Sequence, residues 1–423
     1  MSNTLPCGVK YSFIKNNRFK TTLISVGFYL PLSENNAANT LSLNLMKSGT
    51  ENLPDTYSLN RRLASLYGAQ VSAWVTKYGD CQELRIAMTV NDSKYSMDGE
   101  ETVDKAGELL CDMVFSRFLS GTDYPDEALV REKRLLKESI LGKLNDKRTY
   151  ARNRLEEIMC EDEPFGLDPE GKAESIDSLS AADVKKALQR LISESFISVL
   201  VIGATEPSSF ADTFAERINK TTRNYKPFGN DIVTRRDSVK EVCEAMPVKQ
   251  GKLVMGFRNG IGGQDRDTVA AWIMSDIFGG GPYSKLFCNV REKMSLCYYC
   301  AARPTRRKGI IVVDSGVEDA NIDAAKTAIL EQLSDMKNGN FSDKDIASSK
   351  LALCDTIGSV ESDQELLLRW YASRSLDADP VTPDEMCRLI SAVTREDIVK
   401  AAENFKLDTV YTLKPESTES EAE

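Results

Sequence analysis

The sequence FGGGPYSKLF occupies positions 278–287, and it is followed by REK at 291–293 and LCYYC at 296–300. Three glycines and a proline end the apolar helical segment predicted over 265–278, because neither residue type sustains a helix. A second helix is predicted over 284–293, where apolar residues recur with helical spacing. This stretch therefore predicts two consecutive helices that lead into a strand.

The same order of elements occurs earlier in the chain, offset by about 230 residues. There a helix ends in KSGT (47–50), a second helix follows, and two strands are separated by a Gly79–Asp80 turn of hairpin type. In the first copy the helices are predicted over 37–46 and 58–66 and the strands over 71–77 and 81–90. In the second copy the helices are predicted over 265–278 and 284–293 and the strands over 296–303 and 309–316. Self-similarity at this separation indicates an internal duplication.

The ends of the two copies match as well. Ser180 precedes Asp183 by three residues and Thr394 precedes Asp397 by three, each ahead of an amphipathic helix, as in a capping box. Terminal strands follow, and long helices fill the middle of each copy. The terminal strands are predicted over 197–203 and 409–413. The long helices are predicted over 127–144 in the first copy and over 320–337 and 343–359 in the second.

We therefore predict an α+β protein built from two homologous α/β domains of about 200 residues each, duplicated in one chain of 423 residues. The predicted domains span 1–223 and 253–414. A polar linker is predicted over 224–252, and a disordered acidic tail over 415–423.

Composition excludes several classes of function. With 54 basic and 64 acidic residues the net charge is −10, which argues against nucleic acid as a partner. No run of about 18 apolar residues predicts a membrane span, and residues 1–20 lack the pattern of a secretory signal. We expect a cytoplasmic protein whose ten cysteines are free thiols. Cys297 and Cys300 form a CxxC motif, but a three-residue step along a strand predicts side chains on opposite faces.

The chain contains no histidine. Histidine-ligated metal sites and ordinary serine or cysteine triads are therefore excluded. Acidic residues at 156–157 and 161–163 leave a carboxylate site for calcium or magnesium formally open. Since they lack the spacing of a calcium-binding loop, we interpret them as a solvated acidic face.

The duplicated layout and the quoted motifs resemble the pitrilysin-type (M16) zinc peptidases, which include the mitochondrial processing peptidase and its bacterial two-subunit relatives. The glycine run, Ser-x-Leu-Phe at 284–287, Arg-Glu-Lys at 291–293 and Leu-x-Tyr at 296–298 are similar to the family's second-domain signature. Within the family, the closest resemblance is to bacterial subunits that lack the metal motif and are encoded beside one that has it. One such group is associated with modification of elongation factor P.

The resemblance implies a His-x-x-Glu-His motif on the first long helix, with two zinc ligands one turn apart and a glutamate that activates water. Counted back from positions 49–50, the motif's positions hold Thr40, Leu43 and Asn44, and the position of the third ligand falls near Ser139. Threonine and asparagine are poor zinc ligands, and leucine cannot transfer a proton. We therefore expect this chain to bind no metal and zinc to lie on a partner subunit.

The resemblance also implies a role for Arg291 and Tyr298, with Tyr299 as the alternative if the register slips by one. In related peptidases the arginine and tyrosine hold the peptide backbone and polarise the scissile carbonyl, as hydrogen-bond donors of these types can. Without the motif, Arg291 would be interpreted as a helix C-terminal cation and Tyr298 as a strand aromatic.

Two functions fit this pattern. In the first, the chain is an inactive subunit that pairs with an HxxEH-bearing M16 subunit and supplies a chamber and the Arg/Tyr pair for peptide proteolysis. In the second, it is a non-hydrolytic peptide-binding or scaffold protein in a modification or export pathway. A self-contained enzyme of different chemistry is disfavoured, since no nucleophile has a histidine base.

Overall fold

The fold is described from a computed structural model for residues 2–5, 8–97, 99–234, 236–263, 266–378 and 380–416, with the backbone alone for Ser2 and Asn3. The predicted acidic tail lies outside these residues from position 417 onward. None of the helices in the described ranges is both long and apolar enough to cross a membrane.

The strands, in chain order, are β1 (Ser2–Leu5), β2 (Val9–Lys15), β3 (Thr21–Pro31), β4 (Gln70–Tyr78), β5 (Cys81–Asn91), β6 (Phe196–Gly203), β7 (Lys240–Met246), β8 (Gly251–Arg258), β9 (Cys297–Thr305), β10 (Ile310–Val317) and β11 (Lys406–Pro415). The α-helices are α1 (Asn36–Ser48), α2 (Thr56–Ser65), α3 (Thr102–Ser120), α4 (Asp126–Gly142), α5 (Lys147–Met159), α6 (Ala173–Ile176), α7 (Ala181–Ser193), α8 (Phe210–Asn219), α9 (Arg266–Gly279), α10 (Ile322–Lys337), α11 (Asp343–Val360), α12 (Gln364–Ala372), α13 (Pro383–Ala392) and α14 (Arg395–Asn404). A π-helix spans Leu286–Lys293, and short 3-10 helices span Ser93–Tyr95, Lys143–Asn145, Pro164–Gly166 and Asp319–Asn321.

The elements predicted from the repeat are confirmed, with ends displaced by a few residues. Both predicted capping boxes are present, at Ser180 with Asp183 and at Thr394 with Asp397. The helix predicted over 284–293 is instead a π-helix, in which backbone N–H groups bond five residues back.

The chain divides into two units, and each unit is discontinuous in sequence. The first unit comprises Met1–Leu141, Leu167–Gly229 and Val360–Pro380. The second comprises Gly142–Gly166, Asn230–Ser359 and Val381–Glu423.

The first unit contains a six-stranded sheet in the order β1-β2-β6-β3-β5-β4, parallel between β2 and β6 and antiparallel elsewhere. Strand β3 is buried along almost its whole length because both faces of the sheet are covered. Ile24, Val26 and Phe28 belong to the main core on one face. On the other face, Leu23 belongs to a cluster with Leu368 of α12.

The second unit contains a five-stranded sheet in the order β7-β11-β8-β10-β9, parallel between β7 and β11 and antiparallel elsewhere. Helix α5 covers part of this sheet, with Leu155 and Met159 clustered against Val254 and Tyr411. Apart from β1, the two sheets have the same topology. In each, the last strand in sequence, β6 or β11, runs parallel to β2 or β7, respectively. The predicted duplication is confirmed.

The domain boundaries differ from those predicted. Helix α5 lies in the first half of the sequence but belongs to the second unit, whereas α12 lies in the second half and belongs to the first unit. Segment 224–252, predicted as a linker, contains β7 and the start of β8. Residues of β7 alternate between half-buried and exposed, so its composition is polar although its backbone is part of a sheet.

Candidate functional site

The positions of the degenerate metal motif lie on α1. The Thr40 hydroxyl donates to the backbone carbonyl of Asn36 at 2.8 Å, and Leu43 is fully buried in the main core of the first unit. Asn44 is half-buried. The threonine oxygen is thus used within the helix, and the leucine packs as an ordinary core residue.

Neutral amides form a network beside these positions. Asn39 donates to Gln82 Oε1 at 3.0 Å, and Gln82 Nε2 donates to the carbonyl of Pro169 at 2.6 Å. Arg190 donates to Asn39 Oδ1 at 3.2 Å. The side chains of Asn39 and Gln82 are buried, so this face of α1 is held by hydrogen bonds between protein groups.

Ser139 is exposed on α4, and the adjacent Glu138 is paired with Arg134 at 2.9 Å. Across the described residues, no group of three or more Cys, Asp or Glu side chains is arranged to hold a metal ion. Hydroxyl, amide and apolar side chains at the motif positions do not fit zinc, which prefers imidazole, thiolate and carboxylate ligands.

The acidic segment 161–163 is a solvated face only in part, because Glu161 and Asp162 are exposed but Glu163 is not. The side chain of Glu163 is 8% exposed and pairs with Arg258 at 2.6 Å and with Lys308 at 2.9 Å, and both cations are completely buried. Glu161 pairs with Lys240 at 2.6 Å. These carboxylates form ion pairs within the second unit because the chain brings lysine and arginine side chains from distant positions to meet them.

The π-helix carries Arg291. Its Nε donates to the backbone carbonyl of Tyr298 at 2.9 Å, and its Nη1 is 2.7 Å from Glu292. The guanidinium also lies over the ring of Phe287, 4.5 Å from its centroid. These contacts leave Nη2 without a hydrogen-bond partner among the described residues, so it remains available as a donor.

A β-bulge at Tyr298 determines the direction of this side chain. Gly316 of β10 pairs with Tyr299, and the next residue, Val317, pairs with Cys297, so Tyr298 is the extra residue. Without the bulge, strict alternation would place Tyr298 on the buried face with Cys300. With the bulge, 62% of Tyr298 is exposed.

Arg291 and Tyr298 line one polar cleft of about 430 Å³, together with Glu318, Ser295 and Asn321. The Tyr298 hydroxyl donates to Glu318 Oε1 at 3.1 Å. This hydrogen bond and the negative charge of Glu318 raise the pKa of Tyr298, so the phenol stays protonated and can act as a donor. The cleft therefore holds two kinds of hydrogen-bond donor, a guanidinium and a phenol.

Tyr299, the register alternative, has a different environment. The guanidinium of Arg148 lies 4.0 Å from its ring centroid. Burial, followed by the charge of Asp314, raises the pKa of Tyr299 to about 12. This tyrosine packs within the second unit, and Tyr298 is the one that lines the cleft.

The prediction that Cys297 and Cys300 lie on opposite faces is wrong. Both side chains are buried, and the two thiols share a hydrogen bond. The extra residue at Tyr298 shifts the alternation by one, which puts both cysteines on the same face.

Glu318 is the residue of the cleft that sequence reasoning missed. It directly follows β10, whose last residue, Val317, pairs with Cys297. Pairing the two predicted strands outward from their turn puts Tyr298 opposite Asp314, so only the observed register, with Gly316 opposite Tyr299, brings Glu318 to the cleft.

Three comparisons place the chain among known proteins. A family model described as "Peptidase M16 inactive domain" matches residues 178–353. The chain is 32% identical over 412 residues, 96% of each chain, to a Bacillus subtilis protein named probable inactive metalloprotease YmfF. The crystal structure of a conserved protein from Enterococcus faecalis is similar with a TM-score of 0.91 and 25% identity, covering 99% of each chain. That of a peptidase M16 inactive domain from Pseudomonas fluorescens is similar with a TM-score of 0.78 and 16% identity, covering 100% of this chain and 99% of that one.

Proposed function

The chain belongs to the peptidase M16 family as an inactive-type member, and from this premise we propose that it is the non-catalytic subunit of a heterodimeric zinc peptidase. The observation that carries the proposal is an asymmetry between two sites. The cleft with Arg291 and Tyr298 is built by a π-helix and a β-bulge, whereas the metal-motif positions hold Thr40, Leu43 and Asn44. Both irregular elements are of kinds often found at functional sites.

The chemistry assigned to this chain is binding and polarisation of a peptide carbonyl. Nη2 of Arg291 and the Tyr298 hydroxyl donate hydrogen bonds to a carbonyl oxygen that enters the cleft. The carbonyl must compete with Glu318 for the tyrosine proton, because that proton is donated to Glu318 in this structure. Zinc and the attacking water belong to the HxxEH-containing M16 partner.

The test is to reconstitute the chain with that partner subunit and measure peptide cleavage. We expect Arg291→Ala and Tyr298→Phe each to lower kcat by about 10²–10³-fold, the usual effect of removing a donor to a developing oxyanion. Tyr299→Phe is the matched control and is expected to retain activity. Full activity in both cleft variants, or zinc-dependent cleavage by this chain alone, would contradict the proposal.

A non-hydrolytic peptide-binding function is the second candidate, and the position of β9 favours it. This strand lies at the edge of its sheet, beside the cleft, and an edge strand offers main-chain groups to an extended peptide. Fluorescence anisotropy with a labelled unfolded peptide separates the two candidates. Binding that depends on Arg291, without cleavage after the partner is added, supports the scaffold function.

A further inference from the structure

A second, apolar cavity lies within the first unit, formed by the end of α3, the turn at 121–125, the start of α4, and α7. Its volume is about 180 Å³. Phe118, Tyr124, Leu129, Val184 and Leu188 form apolar walls. An apolar cavity of about 150 Å³ in another protein holds benzene, so this one has room for a compact apolar group.

Arg117 also lines this cavity. Only 8% of it is exposed, yet it forms no ion pair with a carboxylate among the described residues. Its Nη1 and Nη2 donate to the backbone carbonyls of Asp123 and Thr50, at 2.8 and 3.0 Å, and it lies 4.9 Å from the ring centroid of Tyr124. Its Nε is buried and has no hydrogen-bond partner within the described chain.

The other charges that line the cavity compensate each other. Lys185 pairs with Asp123 at 3.1 Å, and both side chains are largely exposed. Arg117 therefore contributes one uncompensated positive charge in a mostly apolar environment. A buried cation without a counter-ion is unfavourable, and an anion that enters such a site removes the imbalance.

We propose that this cavity binds a small carboxylic acid with a compact apolar body, whose carboxylate pairs with Arg117. The apolar walls accept the body of the ligand, and the guanidinium supplies charge-assisted hydrogen bonds to its carboxylate. The site is independent of the cleft that contains Arg291, and it requires neither a metal nor a partner subunit.

The test is calorimetric titration of the full chain at neutral pH with 3-phenylpropionate and with its uncharged analogue 3-phenylpropanamide. We expect saturable binding of the acid at one site, with the amide at least about tenfold weaker, since one charge-assisted hydrogen bond is worth about 1.5–3 kcal/mol. Equal affinity for acid and amide, or no saturable binding of the acid, would overturn the proposal.

Variants of α4 locate the binding site without disturbing Arg117, whose removal risks unfolding the unit. Leu129→Trp fills the cavity with a larger side chain and is expected to abolish binding of the acid. Leu135→Trp changes an exposed residue of the same helix that does not line the cavity, and it should bind as the unaltered chain does. Undiminished binding by Leu129→Trp, with its melting temperature retained, would place the acid elsewhere and refute the assignment.

Discussion

Gly27 lies where the side chain of Arg85 crosses β3. The guanidinium donates to Ser25 at 2.9 Å and to Tyr29 at 2.6 Å, and its Nε pairs with Glu83 at 2.6 Å, all fully buried. A Cβ atom at Gly27 would lie 2.5 Å from Arg85 Cζ. The absence of a side chain at this position is what allows the arginine to lie against the strand.

We expect Gly27→Ala to lower the free energy of unfolding by about 3 kcal/mol, because the added methyl group overpacks a buried ionic network. Urea unfolding, monitored by circular dichroism, measures the free energy of unfolding. Gly142→Ala is the control, because its Cβ would meet nothing within 4 Å at the end of α4. That variant should be neutral or slightly more stable, and equal effects of the two changes would contradict the explanation.

Glu163 neutralises two buried cations, so its own charge is important for stability. We expect Glu163→Gln to lower the free energy of unfolding by about 3 kcal/mol, because Lys308 would lose its ion pair with Glu163 and Arg258 would keep only its pair with Asp408. Asp162→Asn is the control, since that side chain is 82% exposed and its contact with Arg236 is 3.5 Å long. It should cost less than about 1 kcal/mol.

The stabilisation that the Glu163 charge provides depends on pH. Burial alone would raise the pKa of Glu163, but its pairing with Lys308 and Arg258 outweighs burial and lowers the pKa below its usual value. A lowered folded-state pKa means that the stabilisation is complete above the unfolded pKa of about 4.3 and is lost as the pH falls through the folded value. The stability difference between the unaltered chain and Glu163→Gln should therefore shrink below about pH 4 in urea titrations. A constant difference would contradict this.

Among single residues, Arg291 and Tyr298 of the cleft were predictable from the sequence, but Glu318 and the direction of the Tyr298 side chain were not. Arg291 and Tyr298 are part of a recognisable motif, and the structure brings them together. Nothing in the letters LCYYC indicates a bulge, because the extra residue is defined only against the partner strand. The partners of the acidic segment were equally unpredictable, since Glu163 and Lys308 are far apart in sequence.

Among the elements, the contact between α11 and α13 brings two cysteines together. Cys354 Sγ lies 4.0 Å from the carbonyl oxygen of Cys387, and Cys387 Sγ lies 3.9 Å from that of Cys354. Burial, with a contribution from the neighbouring thiol, raises the pKa of Cys387 to about 11. The Cys387 thiol is therefore mainly protonated at neutral pH and becomes more reactive as the pH rises.

We expect diamide to oxidise Cys354 and Cys387 to a disulfide, faster at pH 9 than at pH 7. The bond would close a loop of about 33 residues and raise the free energy of unfolding by about 3–4 kcal/mol. Peptide mapping by mass spectrometry measures the cross-link. Cys354→Ser should prevent it and Cys243→Ser should not, and a disulfide that forms without Cys354 would refute the pairing.

Helix and strand positions were predictable where a local pattern determines them. The capping boxes at Ser180 and Thr394 and the turn at Gly79 depend on neighbouring residues alone, and the sequence predicts all three. Strand β3 escaped prediction because a strand buried on both faces lacks alternation. The π-helix escaped because its residues also have ordinary helical spacing.

For the molecule as a whole, the repeat was evident in the sequence but the exchange of helices was not. In sequence, α5 lies in the first half of the chain and α12 in the second. Only tertiary packing assigns each helix to the unit that the other half forms. The α12 residues Leu367 and Leu368, for example, cluster with Leu200 and Ile202 of β6. Sequence similarity between halves carries no information about such an exchange.

A chain cut between residues 229 and 230 tests this assignment. We expect fragment 1–229 alone to unfold without cooperativity and to bind a hydrophobic dye, because the face of its sheet that α12 covers is exposed. Co-expression with fragment 230–423 should restore cooperative melting, and the fragments should co-purify. Leu368→Ala in the second fragment should weaken the complex by about 2–5 kcal/mol, whereas Leu366→Ala, at an exposed position, serves as control. Cooperative melting of 1–229 by itself would contradict the exchange.

The amide network and the core around α1 make the side chains at the motif positions costly to replace one at a time. Leu43→Glu would place a carboxylate without a partner in the main core, and Thr40→His would introduce an imidazole beside the buried Gln82. Each of these two changes is destabilising by itself, and neither of them alone supplies a zinc ligand set. A sequence that acquired metal ligands at these positions one at a time would therefore pass through less stable single variants.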